Sequence, residues 1–373
     1  MLLTAAALSA LIWLTVLVLP WRPWSTDERL PSDNGPAIAL DDVTVLIPAR
    51  DEASCIADTL RALAAQGCLA RIVLVDDQSS DGTGDVARGV GLANLEVLNG
   101  SALPPGWSGK LWALEQASAR VETPFTLLLD ADIELAPGAL PALKRLMLDR
   151  DLALASVMAS LHMGNAWERL LLPPFIYFFK LIYPFALSNA PGSPVAAAAG
   201  GCVLLRTDAL RGIGGFAALR EAIIDDCTLA KLVKRNGGRT WLGLSRAVRA
   251  IRPYATLENI WNMVARTAFT QLRYSNLLLA VCTLLLGLSF IAPLAGLVAG
   301  DGPTRVASLV ALGAMSASYR PTIRYYDLQP LWVLTLAPAA CLFLAMTWTS
   351  AWRYWSGERS RWKSRSYDKL PNG

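Results

Sequence analysis

The chain has 373 residues, of which 54% are hydrophobic and only 17% charged. That balance excludes an ordinary soluble protein of this length and requires part of the chain to lie in lipid. The formal charge of +4 is modest, and no nucleic-acid partner is expected from it.

Taken in order, Leu2 to Pro20 is unbroken by charge and is close to the length of a spanning helix. It lacks a basic n-region and an A-x-A cleavage site, so residues 1–20 are expected to be an uncleaved transmembrane anchor. Residues 21–41 follow as a linker, with Trp21, Arg22 and Trp24 where an aromatic and basic interfacial anchor belongs. Residues 42–275 have normal polar content and suffice for one large domain.

In that domain "VTVLIPA" (43–49) is a β-branched apolar run, and "CIADTLRALAAQG" after it has helical spacing and a glycine stop. "RIVLVDD", "LEVLNG" and "TPFTLLLDAD" repeat the strand signal, with helical stretches between them. Fully apolar strands separated by helices predict an α/β domain on a mostly parallel sheet, in which ligands collect at the carboxyl ends of the strands. The informative residues stand at those ends: Pro48, Arg50 and Glu52 after the first strand, Asp76 and Asp77 after the second, Asp130 and Asp132 after the fourth. Helix caps and turns explain Asp81 or Ser54. They explain Asp130 and Asp132 poorly, because such a pair repels unless a cation sits between its members. Two carboxylates one residue apart offer the hard oxygens that Mg²⁺ or Mn²⁺ prefers, and such ions also take substrate phosphates.

Two other phosphate motifs compete. "GWSGK" (106–110) fails the Walker pattern, because Pro104 stands where its first glycine belongs and Leu111 replaces the Ser or Thr. "DGTGDVA" contains G-x-G-x-x-A after a strand, the dinucleotide fingerprint. However, Asp76, Asp77 and Asp81 precede its glycines and oppose a pyrophosphate that brings no cation of its own. Lys110 is a candidate contact for a nucleotide or diphosphate.

"AWERLLLPPFIYFFKLIYPFAL" (166–187) is aromatic, carries Pro173, Pro174 and Pro184, and includes Glu168, Arg169 and Lys180. Its breaks and charges predict an interfacial segment over 164–187 that brings the site toward lipid headgroups, with a core helix as the alternative. In "AAAAGGCVLLRTDALRGIGGF" (196–216) the glycines allow close approach of the backbone to a ligand, or a tight turn. "AIIDDCTLAKLVKRNG" starts a helix at Asp225 and Asp226, where capping accounts for one acid and the other could deprotonate an acceptor hydroxyl.

Residues 276–352 form the C-terminal membrane region. Asn276–Gly300 and Leu331–Trp352 are long enough to cross, while Val306–Tyr319, rich in Ser, Ala and Gly, is expected not to span. Residues 353–373 carry six Lys or Arg between Arg353 and Lys369 and are expected to be a basic cytoplasmic tail. The six cysteines, Cys55, Cys68, Cys202, Cys227, Cys282 and Cys341, show no C-x-x-C pair and read as reduced thiols on the cytoplasmic side. His162 is the only histidine and reads as a packing or interfacial residue.

The ordered set "VTVLIPARDE", "IVLVDDQSSDGT", "GK" followed by "AL", "LLLDAD", the "GG" strand and "IIDD" resembles the GT-A glycosyltransferases of family 2 over residues 42–275. More narrowly, "GWSGKLWAL", "IIDDCTLA" and "RTAFTQLRYS" resemble the hopene-associated glycosyltransferases (HpnB type) of bacterial hopanoid gene sets. The resemblance implies transfer of a sugar from a nucleoside diphosphate sugar, with uridine the expected base, and inversion at the anomeric carbon. It implies that Ala49, Arg50, Glu52 and Asp77 hold base and ribose, that Asp132 helped by Asp130 holds the metal, and that Asp226 is the base. Asp51 stands where relatives commonly carry Asn. The Q-x-x-R-W signature survives only as Gln271, Leu272, Arg273 and Tyr274, which argues against processive polymer synthesis and leaves Gln271 and Arg273 as phosphate or acceptor contacts. Anchors on both sides of the domain favour a membrane lipid acceptor and an inner-membrane, multi-pass protein whose catalytic domain faces the cytoplasm. The other readings are a non-catalytic membrane scaffold and a dinucleotide-dependent oxidoreductase, which binding of NAD in place of UDP would reveal.

Overall fold

The computed structural model of the protein describes residues 1–31, 37–362 and 365–368. The chain forms two compact units, one built from Glu28–His162 and Leu187–Pro253, the other from Met1–Asp27, Met163–Ala186 and Tyr254–Gly373. Residues 163–186 and 254–275, expected inside the central domain, therefore group with the helical unit.

The first unit holds an eight-stranded sheet: β1 (Leu40–Ala49), β2 (Leu69–Asp76), β3 (Leu95–Asn99), β4 (Phe125–Leu129), β5 (Ile133–Leu135), β6 (Leu154–Ser160), β7 (Cys202–Arg206) and β8 (Thr240–Ala250), in the order β3-β2-β1-β4-β7-β6-β8-β5. β3, β2, β1 and β4 run parallel, as do β6 and β8, while β7 and β5 are antiparallel to their neighbours. β4 is buried at every position, as a strand covered on both faces must be. One core packs Val45, Ile47, Leu127 and Leu129 of alternate positions on one face, and another packs Leu46, Val73, Val75 and Leu128 on the other. The β1–β4 ladder ends at the Leu46–Leu128 pair, two residues before Pro48, which has no N–H to contribute. The opening between the strand ends is the cleft described below.

The helices, in chain order, begin with α1 (Leu2–Val18), α2 (Ile56–Ala64), α3 (Thr83–Gly89), α4 (Gly109–Ser118), α5 (Ala139–Asp149), α6 (Ala166–Ile182), α7 (Phe185–Asn189), α8 (Thr207–Gly212) and α9 (Asp225–Arg235). They continue with α10 (Leu257–Ala265), α11 (Ala268–Gln271), α12 (Asn276–Leu286), α13 (Ala292–Ala299), α14 (Gly302–Tyr325) and α15 (Leu336–Trp355).

In the helical unit two segments are long and apolar enough to cross a membrane, Asn276–Ala299 and Pro330–Trp355, whereas α1, at 17 residues, is shorter. The first of these passes through a π turn at Gly287–Ile291. Such a turn releases a carbonyl from the helical ladder, and that of Ser289 accepts from Ser9 Oγ at 3.0 Å and Trp13 Nε1 at 2.9 Å. The segment around Val306–Tyr319 is part of a 24-residue helix, α14. Its Thr304, Ser308 and Ala311 are buried in packing: a Cβ on Gly296 of α13 would strike Ser308 and Thr304, the small-residue contact that lets helices approach closely.

Of its three prolines, the 166–187 segment breaks only at Pro184, between α6 and α7. α6 runs through Pro173 and Pro174, and Glu168 and Lys180, expected near headgroups, are fully buried. Each is satisfied where it lies, as burial of a charge demands. Lys180 Nζ donates to Ser25 O at 3.0 Å and to Thr322 Oγ1 at 3.2 Å. Glu168 accepts from the backbone N–H groups of Gly164 (2.7 Å), Asn165 (3.1 Å) and Tyr254 (2.7 Å). Glu168→Ala strands these donors and is expected to cost about 3 kcal/mol or more. The change would be measured as a lower melting temperature of detergent-purified protein, with Glu168→Gln losing less.

After α15 the chain pairs residues 358–362 with 365–368 as two short antiparallel strands. The basic tail expected over 353–373 lies partly outside the described residues, at 363, 364 and 369–373.

Candidate active site

At the carboxyl ends of β1 and β4 a cleft is lined by Pro48, Lys110, Asp130, Gly200, Asp225 and Asp226, over a floor of buried leucines. The first strand end is tied to the second. Asp77 N donates to Ala49 O at 2.8 Å, and Arg50 Nη1 donates to Asp77 O at 2.5 Å with its guanidinium 4.0 Å from the buried Asp77 carboxylate. Asp51 takes a positive φ of 50° and closes the turn by accepting from Ser80 N at 2.9 Å. Asp81 accepts from Ala53 N (2.9 Å) and Thr83 N (3.0 Å), the turn role its position predicts.

The start of α3 is closely approached by an acid of the chain. A Cβ on Gly84 would lie 2.6 Å from Asp76 Oδ2, so a carboxylate of the chain lies against that helix start and opposes a pyrophosphate there. This geometry disfavours the dinucleotide alternative. "GWSGK" likewise makes a helix cap: Ser108 Oγ accepts from Leu111 N at 3.4 Å.

Asp130 and Asp132 leave the end of β4 with their side chains partly exposed, and each meets a cation of the chain. Lys110 Nζ, on the first turn of α4, lies 2.7 Å from Asp130 Oδ1. Arg252 Nε lies 3.2 Å from Asp132 Oδ2, and its Nη2 pairs with Glu52. Burial alone would lower the Lys110 ammonium, but Asp130, Asp225 and Asp226 outweigh it and hold the group well above the usual lysine value.

Asp225 and Asp226 form the first turn of α9. Asp226 accepts from Gly200 N (2.8 Å) and Cys227 N (2.7 Å). Burial pushes its carboxyl up to about 6 and repulsion from Asp225 adds to this, against the pull of Lys110 and the two N–H groups. Gly200 makes this approach close: a Cβ would stand 3.2 Å from Lys110 Nζ and 3.3 Å from Asp226 Oδ2 and would press on both side chains. The close approach expected of the glycine doublet is thus to the side chains of the cleft. Cys202, the first residue of β7, is a buried thiol pushed up to about 12 by desolvation and stays neutral.

The structure thus brings Pro48, Lys110, Asp130, Asp225 and Asp226 to one cleft, with Ala49, Arg50 and Asp77 along one strand-end rim and Glu52 and Asp132 joined through Arg252. Gln271 and Arg273 fall in the helical unit, where the Gln271 side chain pairs with Tyr183 Oη. Arg252 is the residue that sequence reasoning missed. It is brought to Asp132 by β5 pairing with β8, where Ile251 N donates to Asp132 O at 2.9 Å. A lone arginine before a proline, 120 residues from its partner, gives no local signal.

No group of three or more His, Cys, Asp or Glu side chains suited to a metal occurs among the described residues. The donor chemistry nevertheless fits a hard divalent ion: Mg²⁺ and Mn²⁺ are commonly held by one or two carboxylates, with waters and substrate phosphates completing the shell.

A strand-end cleft with paired acids lies where open α/β sheets take their ligands. The profile of "Glycosyltransferase like family 2" matches residues 41–270, and the chain belongs to that family. It is similar to a mannosyltransferase from Pyrobaculum calidifontis, solved with GDP-Man and Mn²⁺, at 19% identity and a TM-score of 0.56, over 91% of this chain and 99% of that one. That likeness shows the shared GT-A fold. It is also 30% identical over 96 residues to 4,4'-diaponeurosporenoate glycosyltransferase of Staphylococcus haemolyticus (strain JCSC1435), a match spanning 25% of this chain and 24% of that enzyme.

Proposed function

We propose that this family 2 protein is a membrane-bound, metal-dependent inverting glycosyltransferase that moves a sugar from a nucleoside diphosphate sugar, with uridine as the base, to a lipid or polyprenoid acceptor. The observation that carries the proposal is one cleft in which the buried Asp226 carboxyl, fixed by two backbone N–H groups and pushed up to about 6 by burial, lies beside the Lys110–Asp130 pair. Arg50, Asp77, Ala49 and Glu52 would hold base and ribose at the end of β1. Asp132 and Asp130 would hold the divalent ion, which supplies charge stabilisation to the departing diphosphate. Asp226, fixed by two backbone N–H groups, would take the proton of the attacking hydroxyl, with Asp225 keeping its affinity for that proton high. No step needs a covalent intermediate.

Several features support a lipid acceptor. Two helices are apolar enough to span, and α1 adds an apolar face with Leu2, Leu3, Leu8, Leu11 and Leu14 exposed. Trp348, Trp352 and Trp355 of α15 form a groove with Trp261, the aromatic signature of a membrane interface. One relative is named for glycosylation of diaponeurosporenoate, and the resemblance to hopene-associated enzymes points to a hopanoid or another polyprenoid. Six free cysteines fit a site facing the cytoplasm.

The test is thermal shift of detergent-purified protein with UDP, UDP-sugars and GDP-Man, in Mn²⁺ and in EDTA, followed by transfer of labelled sugar to a bacterial lipid extract. Stabilisation by a nucleotide that disappears in EDTA, with label in the organic phase, is the expected result. Label found only in water-soluble product would remove the lipid acceptor, and no stabilisation by any nucleotide would remove the donor.

A further inference from the structure

Both acids of the metal pair already carry a cation. Lys110 is on Asp130, and the Arg252 guanidinium is shared between Asp132 and the nearly buried Glu52. Such pairing at a catalytic cleft has a direct electrostatic consequence. A divalent ion approaching these carboxylates alone meets two fixed positive charges and must displace them, in a site where charge is poorly screened. A nucleoside diphosphate changes that balance, because its phosphate oxygens accept both an ammonium and a guanidinium fork.

We infer that Lys110 and Arg252 are built-in counter-cations of the metal site: they hold Asp130 and Asp132 while the donor is absent and transfer to its diphosphate when the divalent ion enters, so that ion and nucleotide bind as a unit. This rests on Asp130 and Asp132 being the ion's ligands. Geometry supports the exchange at both ends. The Lys110 and Arg252 side chains are 21% and 34% exposed, so both long stems border open space. Missing a Cβ, Gly200 leaves the Lys110 ammonium room beside Asp226 when it leaves Asp130. Arg252 is one residue beyond the backbone hydrogen bond from Ile251 to Asp132, so its stem stays anchored at the site while its head moves. Thermodynamic linkage makes the effect reciprocal: the ion tightens the nucleotide by the factor with which the nucleotide tightens the ion. Arg252 acts here as a positioning residue for the ligand carboxylates before the donor arrives.

The experiment measures Mn²⁺ binding by electron paramagnetic resonance of the free ion, using full-length protein in detergent, with and without UDP, and with GDP in a parallel series. For the wild type, Mn²⁺ alone binds weakly and the nucleotide tightens it by about tenfold or more, within the usual range of coupling between sites. Arg252→Gln removes the competing charge, so Mn²⁺ alone is expected to bind about tenfold more tightly, a change worth about 1.4 kcal/mol, and the nucleotide is expected to add less. Arg252→Lys retains the charge and stays near wild type, an outcome that a merely structural role would not produce. Lys110→Met makes the same test at Asp130, should Arg252→Gln not fold. A folded variant of either kind that binds Mn²⁺ no more tightly than wild type overturns the inference while leaving the metal assignment standing. Mn²⁺ binding that survives Asp132→Asn, or that occurs in no variant even with nucleotide, overturns both together.

Discussion

Asp226→Asn is expected to lower turnover by about 10³-fold, inside the range of 10²- to 10⁴-fold that a positioned general base contributes, while donor affinity stays within about twofold of wild type. The asparagine keeps the shape of the side chain and an acceptor for one of the Gly200 and Cys227 N–H groups, which bond to different oxygens of Asp226; it loses the proton acceptor together with one of these hydrogen bonds. The pH profile gives a second reading of the same residue. Because its carboxyl is raised to about 6, Asp226 is protonated below that pH and cannot accept the hydroxyl proton. Wild-type kcat/KM should therefore fall as pH drops through about 6 and be flat above it until another group titrates. Lys110 lowers the carboxyl, so in Lys110→Met the acid limb moves to higher pH. Wild-type turnover in Asp226→Asn, or an acid limb near 4 in the wild type, would remove Asp226 as the base.

What the sequence disclosed follows the range of the interactions involved. β1, β2 and β4 are readable because an apolar run between helical stretches is a local pattern, and the acids at their ends are readable because a carboxylate after a buried strand has no local use. The glycine doublet also announced a close approach, although its partner proved to be Lys110 and Asp226. Arg252 was hidden, since only the antiparallel pairing of β5 with β8 carries it to Asp132. The burial of the α6 charges was hidden for a related reason. Glu168 and Lys180 look like surface charges until Tyr254, Ser25 and Thr322 arrive from elsewhere in the chain to satisfy them. In α14 the small residues lowered the apparent hydropathy of a helix whose work is packing, with Ser308 and Ala311 fully buried.

The second large effect is expected at Asp132. If this carboxylate holds the divalent ion, Asp132→Asn should weaken Mn²⁺-dependent donor binding by about 10- to 100-fold, since removing a charged oxygen ligand takes away both a bond and a neutralising charge. Without Mn²⁺ the variant should bind nucleotide no more weakly than the wild type. The substitution also releases Arg252 from one of its two acids, leaving Glu52 as the carboxylate it pairs with in this structure. A freed guanidinium can itself take a phosphate, so residual binding in Asp132→Asn should be metal-independent and should disappear in the double variant with Arg252→Gln. The two changes are then coupled, because each alters what the other's side chain faces, and a double-mutant cycle on donor binding reads that coupling directly. Additive losses would mean that Arg252 and the ion do not share the diphosphate, and an unchanged Mn²⁺ requirement in Asp132→Asn would remove this residue as a ligand.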